Sequence, residues 1–80
     1  MITCDQIRMG RSALKWTAQQ LADKSKVTVN TIRRVENGAN TTAKTLLNIQ
    51  GAFEGAGIEF IPKNGGGVGV RFKSPPEEKG

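Results

Sequence analysis

The chain has no histidine, no tyrosine and one cysteine, and its 80 residues include four aromatic side chains, Trp16, Phe53, Phe60 and Phe72. Each shortage removes a class of chemistry. Finger-type zinc sites need four cysteine or histidine ligands, and Ser-His or Cys-His catalysis needs an imidazole, so none of these can be built. One cysteine cannot close an internal disulfide, which fits a reducing compartment. No apolar run approaches the roughly 18 residues of a membrane span, and Met1-Ile2-Thr3-Cys4-Asp5 lacks the basic start of a secretory leader. A cytoplasmic protein with no metal, no cofactor and no membrane partner is expected. With 36% apolar residues, the chain can form one small domain around one modest core, without room for a drug-sized cavity. It also lacks a phosphate loop and a cleft-forming pair of carboxylates, so an enzyme is not expected.

Charge is informative by position. Residues 1–50 carry eight basic side chains against three acidic ones, whereas residues 51–80 carry four of each, so the whole net charge of +5 sits in the first part. A basic unit of this kind suits a polyanion, nucleic acid before membrane, although a solvated basic surface gives the same count.

Four segments have helical character. Thr3 followed by Gln6 is a capping-box pattern, and Ile7, Gly10, Arg11 and Leu14 recur on one face of the helix it would open. Thr17-Ala18-Gln19-Gln20 is a second box, opening a short helix that ends near Lys24. Thr28 can cap a third helix running through Ile32 and Val35 to Asn37-Gly38, with Gly38 as a left-handed stop. A fourth starts at Thr41 or Thr42 and ends at Gly55-Ala56-Gly57, where Ile58 can pack back onto its last turn. The period then changes from 3.6 to 2. Ile58–Pro62 and Val68–Lys73 read as the strands of a hairpin, with Ile58 and Phe60 on one face and Val68, Val70 and Phe72 on another. Gly65-Gly66-Gly67-Val68-Gly69 lacks the strand-to-helix setting of a nucleotide loop and reads as the hairpin turn.

The informative stretch is Thr17 to Gly38: a short capped helix, a turn through Ser25, Lys26 and Val27, and a second capped helix. Ala22 is small where the helices must cross, Val27 can plug the gap between them, and Ile32 and Val35 hold the second helix from behind. Val29, Asn30, Thr31, Arg33 and Arg34 are left outward. Amide suits adenine, guanidinium suits guanine, and a valine methyl suits the thymine methyl in the major groove. Trp16, just before the second cap, is expected to staple against Gln20-Leu21.

Leu21-Ala22, Val27-Thr28, Thr31-Ile32 and Val35-Glu36-Asn37-Gly38 resemble the Cro/lambda-repressor-like helix-turn-helix regulators over roughly Ile7 to Phe53. The resemblance implies a DNA-binding repressor or regulator, dimeric on a palindromic operator. It places Val29, Asn30 and Arg34 at base-contacting positions, and Thr17, Ala18 and Asn37 at phosphate-contacting ones. Ala18 stands where a polar side chain is common, so only its backbone amide could serve. Gln19, Thr28 and Lys44 complete the expected phosphate set, and Thr31 and Arg33 the base set. The resemblance also implies an ion pair between Arg11 and Glu36.

The expected architecture is therefore mainly α: a helix-turn-helix bundle of four to five helices over residues 1–57, a C-terminal β-hairpin over 58–73, and a disordered tail over 74–80. A lone hairpin is marginal in water, so it either packs on its own helices or meets a second copy. Its apolar surplus favours the second copy slightly. The expected partners are a double-stranded DNA operator and a homodimer twin. A rival reading is a protein-interaction module, such as an antitoxin or antiactivator, that holds a partner protein through its C-terminal part.

Overall fold

Four threonines start four helices. In the computed structural model, which describes residues 1–63 and 65–73, the helices are α1 (Cys4–Leu14), α2 (Ala18–Ser25), α3 (Val29–Glu36) and α4 (Ala43–Gly55), capped by Thr3, Thr17, Thr28 and Thr42. In each cap the threonine side chain accepts from the backbone N–H three residues on, satisfying one of the donors a helix start leaves without a partner. Both expected capping boxes form: Gln6 and Gln20 return a side-chain bond to the backbone of Thr3 and Thr17. The tail expected over 74–80 lies outside the described residues.

The helix ends are less regular. Gly38 takes the left-handed stop after α3, with φ +92°, as its sequence position requires. After α1 and α2 the same conformation is held by lysines, Lys15 at φ 58° and Lys26 at φ 61°. A side chain there crowds the following carbonyl, so these two turns carry a cost that glycine would avoid.

After α4 the chain forms an antiparallel hairpin of β1 (Ile58–Ile61) and β2 (Gly69–Phe72), in which Ile58 faces Phe72, Phe60 faces Val70 and Ile61 faces Gly69. The strands are shorter than the alternation suggests, because Pro62 has no N–H for the ladder and Val68 falls before the first pair. The register also corrects the expected faces. Residues directly opposite share a face, so Ile58, Phe60, Val70 and Phe72 form one apolar surface. Most of that surface turns inward, β1 packing on α4 and β2 on α1, while Phe72 stays exposed. Ile58 is fully buried, and Phe60 and Val70 lie against the core. The hairpin's apolar surplus thus goes largely to its own helices.

Phe53 is the centre of that core. Its ring stacks on Trp16 at 5.6 Å between centroids and meets Phe60 edge-on at 5.8 Å. Trp16 packs against the core that includes Leu21, and its ring partner there is Phe53, through this long-range stack. A third side of the ring lies against Gly10, where an added Cβ would stand 2.8 Å from Cε1. Gly10 is therefore glycine because an aromatic ring occupies the place of its side chain. The helix and the hairpin are bolted together by Gln6, which is buried and donates from Nε2 to the carbonyls of Ile61 and Gly69, each at 3.0 Å.

Two paired substitutions test this packing in chemical denaturation. Gly10→Ala is expected to cost about 1–2 kcal/mol net, overpacking outweighing the gain in helix propensity, whereas Gly51→Ala, on an open helical surface, gains up to about 1 kcal/mol. Gln6→Glu keeps an acceptor for the cap but cannot donate to two carbonyls, and should cost about 2–3 kcal/mol. Gln20→Glu, in an exposed box without those acceptors, should leave the midpoint nearly unchanged.

Candidate nucleic-acid interface

The third helix sorts its residues by angle. At about 100° per residue, Ile32, Val35 and Glu36 fall on one side and Asn30, Arg33, Arg34 and Asn37 on the other. The first three are buried and the last four exposed. Val29 and Thr31 stand at the two margins and are half-buried. This qualifies the expectation that both point outward. Val29 falls between Glu36 and Arg33 around the helix, and part of its side chain packs against the core. The Thr31 hydroxyl lies 2.9 Å from that of Thr28. The exposed stripe of α3 thus consists of two amides and two guanidiniums.

Arg11 holds that stripe in place. Its Nε donates to Glu36 Oε2 at 2.6 Å and its Nη2 to Oε1 at 2.9 Å, a two-pronged pair between α1 and the last residue of α3. Its Nη1 donates to the carbonyl of Trp16 at 3.1 Å, just before the cap of α2. One turn earlier on α1, Arg8 donates to the backbone carbonyl of Glu36 and pairs with Asp5. The Glu36 side chain is only 10% exposed and that of Arg11 26%. The hydrogen bond to Glu36 raises the already high pKa of Arg11, burial pulls it partly back, and the attraction of the carboxylate adds to the rise. The guanidinium stays charged wherever the protein is folded.

The expected phosphate-contacting residues lie at helix starts and ends. Thr17, Gln19, Thr28, Asn37 and Lys44 are exposed, and Ala18 is half-buried with part of its surface on the core. Thr17 and Thr28 have their side-chain oxygens engaged as caps, and Gln19 reaches Asp23 Oδ1 at 3.0 Å. Thr17 and Ala18 open onto a concavity of about 500 Å³ that also takes in Arg8, Arg11, Ser12, Lys15 and Trp16. The sequence-based set of site residues does not contain Arg8 or Lys15. A signal was present: Arg8 and Arg11 are spaced i, i+3, which sets two cations on one side of α1, and Lys15 follows at its end. Among the described residues, no group of three metal-ligating side chains could hold an ion, and no helix is long and apolar enough to cross a membrane.

A short helix leading through a tight turn into a second helix with a buried back and a basic, amide-bearing front defines a helix-turn-helix DNA-binding domain. The family model described as helix-turn-helix matches residues 7–56. The chain belongs to that family, of the Cro/C1 type, and is a DNA-binding transcriptional regulator. The comparison with curated proteins finds no match.

If Arg11 and Glu36 anchor the front of α3, Arg11→Met leaves a nearly buried carboxylate without its partner. A loss of about 3 kcal/mol in thermal or urea unfolding is expected, near the range for broken buried pairs. Arg11→Lys keeps the charge without the fork and should recover only part of it. The exposed pair of Arg71 with Glu59 is the control, and Arg71→Met should leave the unfolding midpoint where it is.

Proposed function

We propose that the protein is a transcriptional repressor that binds a palindromic operator as a homodimer and acts by occupying a promoter. The observation that carries this reading is the separation of faces on α3, with Asn30, Arg33, Arg34 and Asn37 exposed over a back of Ile32, Val35 and Glu36. Arg34 and Arg33 read guanine edges and Asn30 an adenine edge, while Val29 and Thr31 border the same bases from the margins. Thr17, Ala18, Gln19, Thr28, Asn37 and Lys44 hold phosphates and set the register without reading sequence. One chain offers one reading helix and so one half-site. Tight binding at physiological salt calls for two copies about one helical turn apart.

The rival reading, an antitoxin-like or antiactivator-like module, relies on the C-terminal part to hold a partner protein. It has less support, because the hairpin face best suited to a partner lies against α1 and α4.

Selection of bound sites from random duplex DNA is expected to return an inverted repeat. On that site Arg34→Ala should cost about 1–3 kcal/mol and relax the preference at one base pair per half-site, while Lys44→Ala weakens all sequences alike. An equal loss for Arg34→Ala on selected and random duplexes would remove the base-reading role. A consensus without symmetry would remove the dimer.

A further inference from the structure

We infer that Lys15 is a DNA phosphate-contacting residue, extending the interface from the helix-turn-helix onto the elbow between α1 and α2. The inference rests on the DNA binding of the family and adds a contact outside the set proposed above. Its basis is the concavity of about 500 Å³ between α1 and the start of α2. Three cations line it, Arg8, Arg11 and Lys15, together with Ser12, Trp16, Thr17 and Ala18, and no acidic side chain does. Two of those cations are already committed within the fold, Arg11 to Glu36 and Arg8 to Asp5 and the carbonyl of Glu36. Lys15 is exposed and takes part in none of the ion pairs among the described residues. The groove therefore presents one uncommitted ammonium beside Thr17 and Ala18, within the first 50 residues that carry the whole net charge of +5. A compact ammonium on a flexible stem suits a phosphate as a point charge.

The backbone at Lys15 makes the role separable from stability. At φ 58° glycine is the less strained residue, so Lys15→Gly should raise Tm by roughly 2–4 °C while removing the cation. Lys26 supplies the control. It has the same left-handed conformation at φ 61° and the same charge, but stands at the other end of α2, in a different groove with Lys24 and Leu47.

The test uses the full chain and a fluorescein-labelled duplex of mixed sequence, titrated at several salt concentrations, beside thermal melts. Lys15→Gly and Lys26→Gly should both melt higher than the wild type. Lys15→Gly alone should bind several-fold more weakly, with the slope of log affinity against log salt shallower by about 0.9, the value of one phosphate contact. Lys15→Arg should bind as the wild type does. The inference is overturned if Lys15→Gly binds with unchanged affinity and slope, or if Lys26→Gly loses as much, which would reduce the effect to net charge. It is overturned too if the wild type does not bind the duplex. Equal wild-type affinity for mixed and selected duplexes would instead count against sequence-specific repression and leave the Lys15 comparison readable.

Discussion

The guanidinium of Arg11 joins three segments that converge on it from different parts of the chain: the middle of α1, the last residue of α3 and the lead into α2. All of its bonds run to oxygen, two from a carboxylate and one from a carbonyl, which is what a planar fork of N–H donors matches and an ammonium does not. Partial burial makes the charges costly to desolvate, and the short two-pronged geometry offsets that cost. The weight of such a pair lies more in orientation than in net stability. It fixes where the end of α3 stands relative to the start of α2, and Arg8 adds a second tie to Glu36. The exposed stripe of α3 can then face solvent and still be rigidly placed.

That stripe shares no residue with the packing beneath it. Asn30, Arg33, Arg34 and Asn37 are exposed, while Ile32, Val35 and Glu36 carry the buried side of the same two turns. Substitutions on the front change what the helix can hydrogen-bond without opening a cavity behind it. The margins behave differently. Val29 is half-buried, so a larger side chain there presses on the core as well as on whatever lies in front.

What was legible in the sequence follows the range of each interaction. The four threonine caps, the two boxes and the stop at Gly38 each involve residues within four positions, and their chemistry is visible in the residue types. The front and back of α3 follow from a period, which is local too. The hairpin was legible as two strands, but its register was not. Whether its apolar face met a second copy or its own helices depends on where α1 and α4 stand in space. The partner of Trp16 is Phe53, 37 positions away, and the second role of Gln6 engages Ile61 and Gly69 at separations of 55 and 63 positions. No local pattern announces such bonds. Lys15 and Lys26 escaped for another reason: the turns they occupy are normally marked by glycine, and lysine carries no turn signal.

The bond from Gln6 to the hairpin has a consequence for how the protein is made. Gln6 leaves the ribosome early and Gly69 among the last of the described residues, yet the two meet at 3.0 Å. Between them the chain places Phe53 and Ile58, both without solvent exposure in the finished molecule. While the C-terminal segment is still in the exit tunnel, the nascent helices stand with the floor of their core uncovered and with the amide of Gln6 facing no carbonyl. Local helix formation can begin during translation, but closure of the core waits until Gly69 has cleared the exit tunnel. Gln6 and the hairpin therefore become native together, and the exposed face of α3 acquires its final rigidity only after β2 has joined the fold.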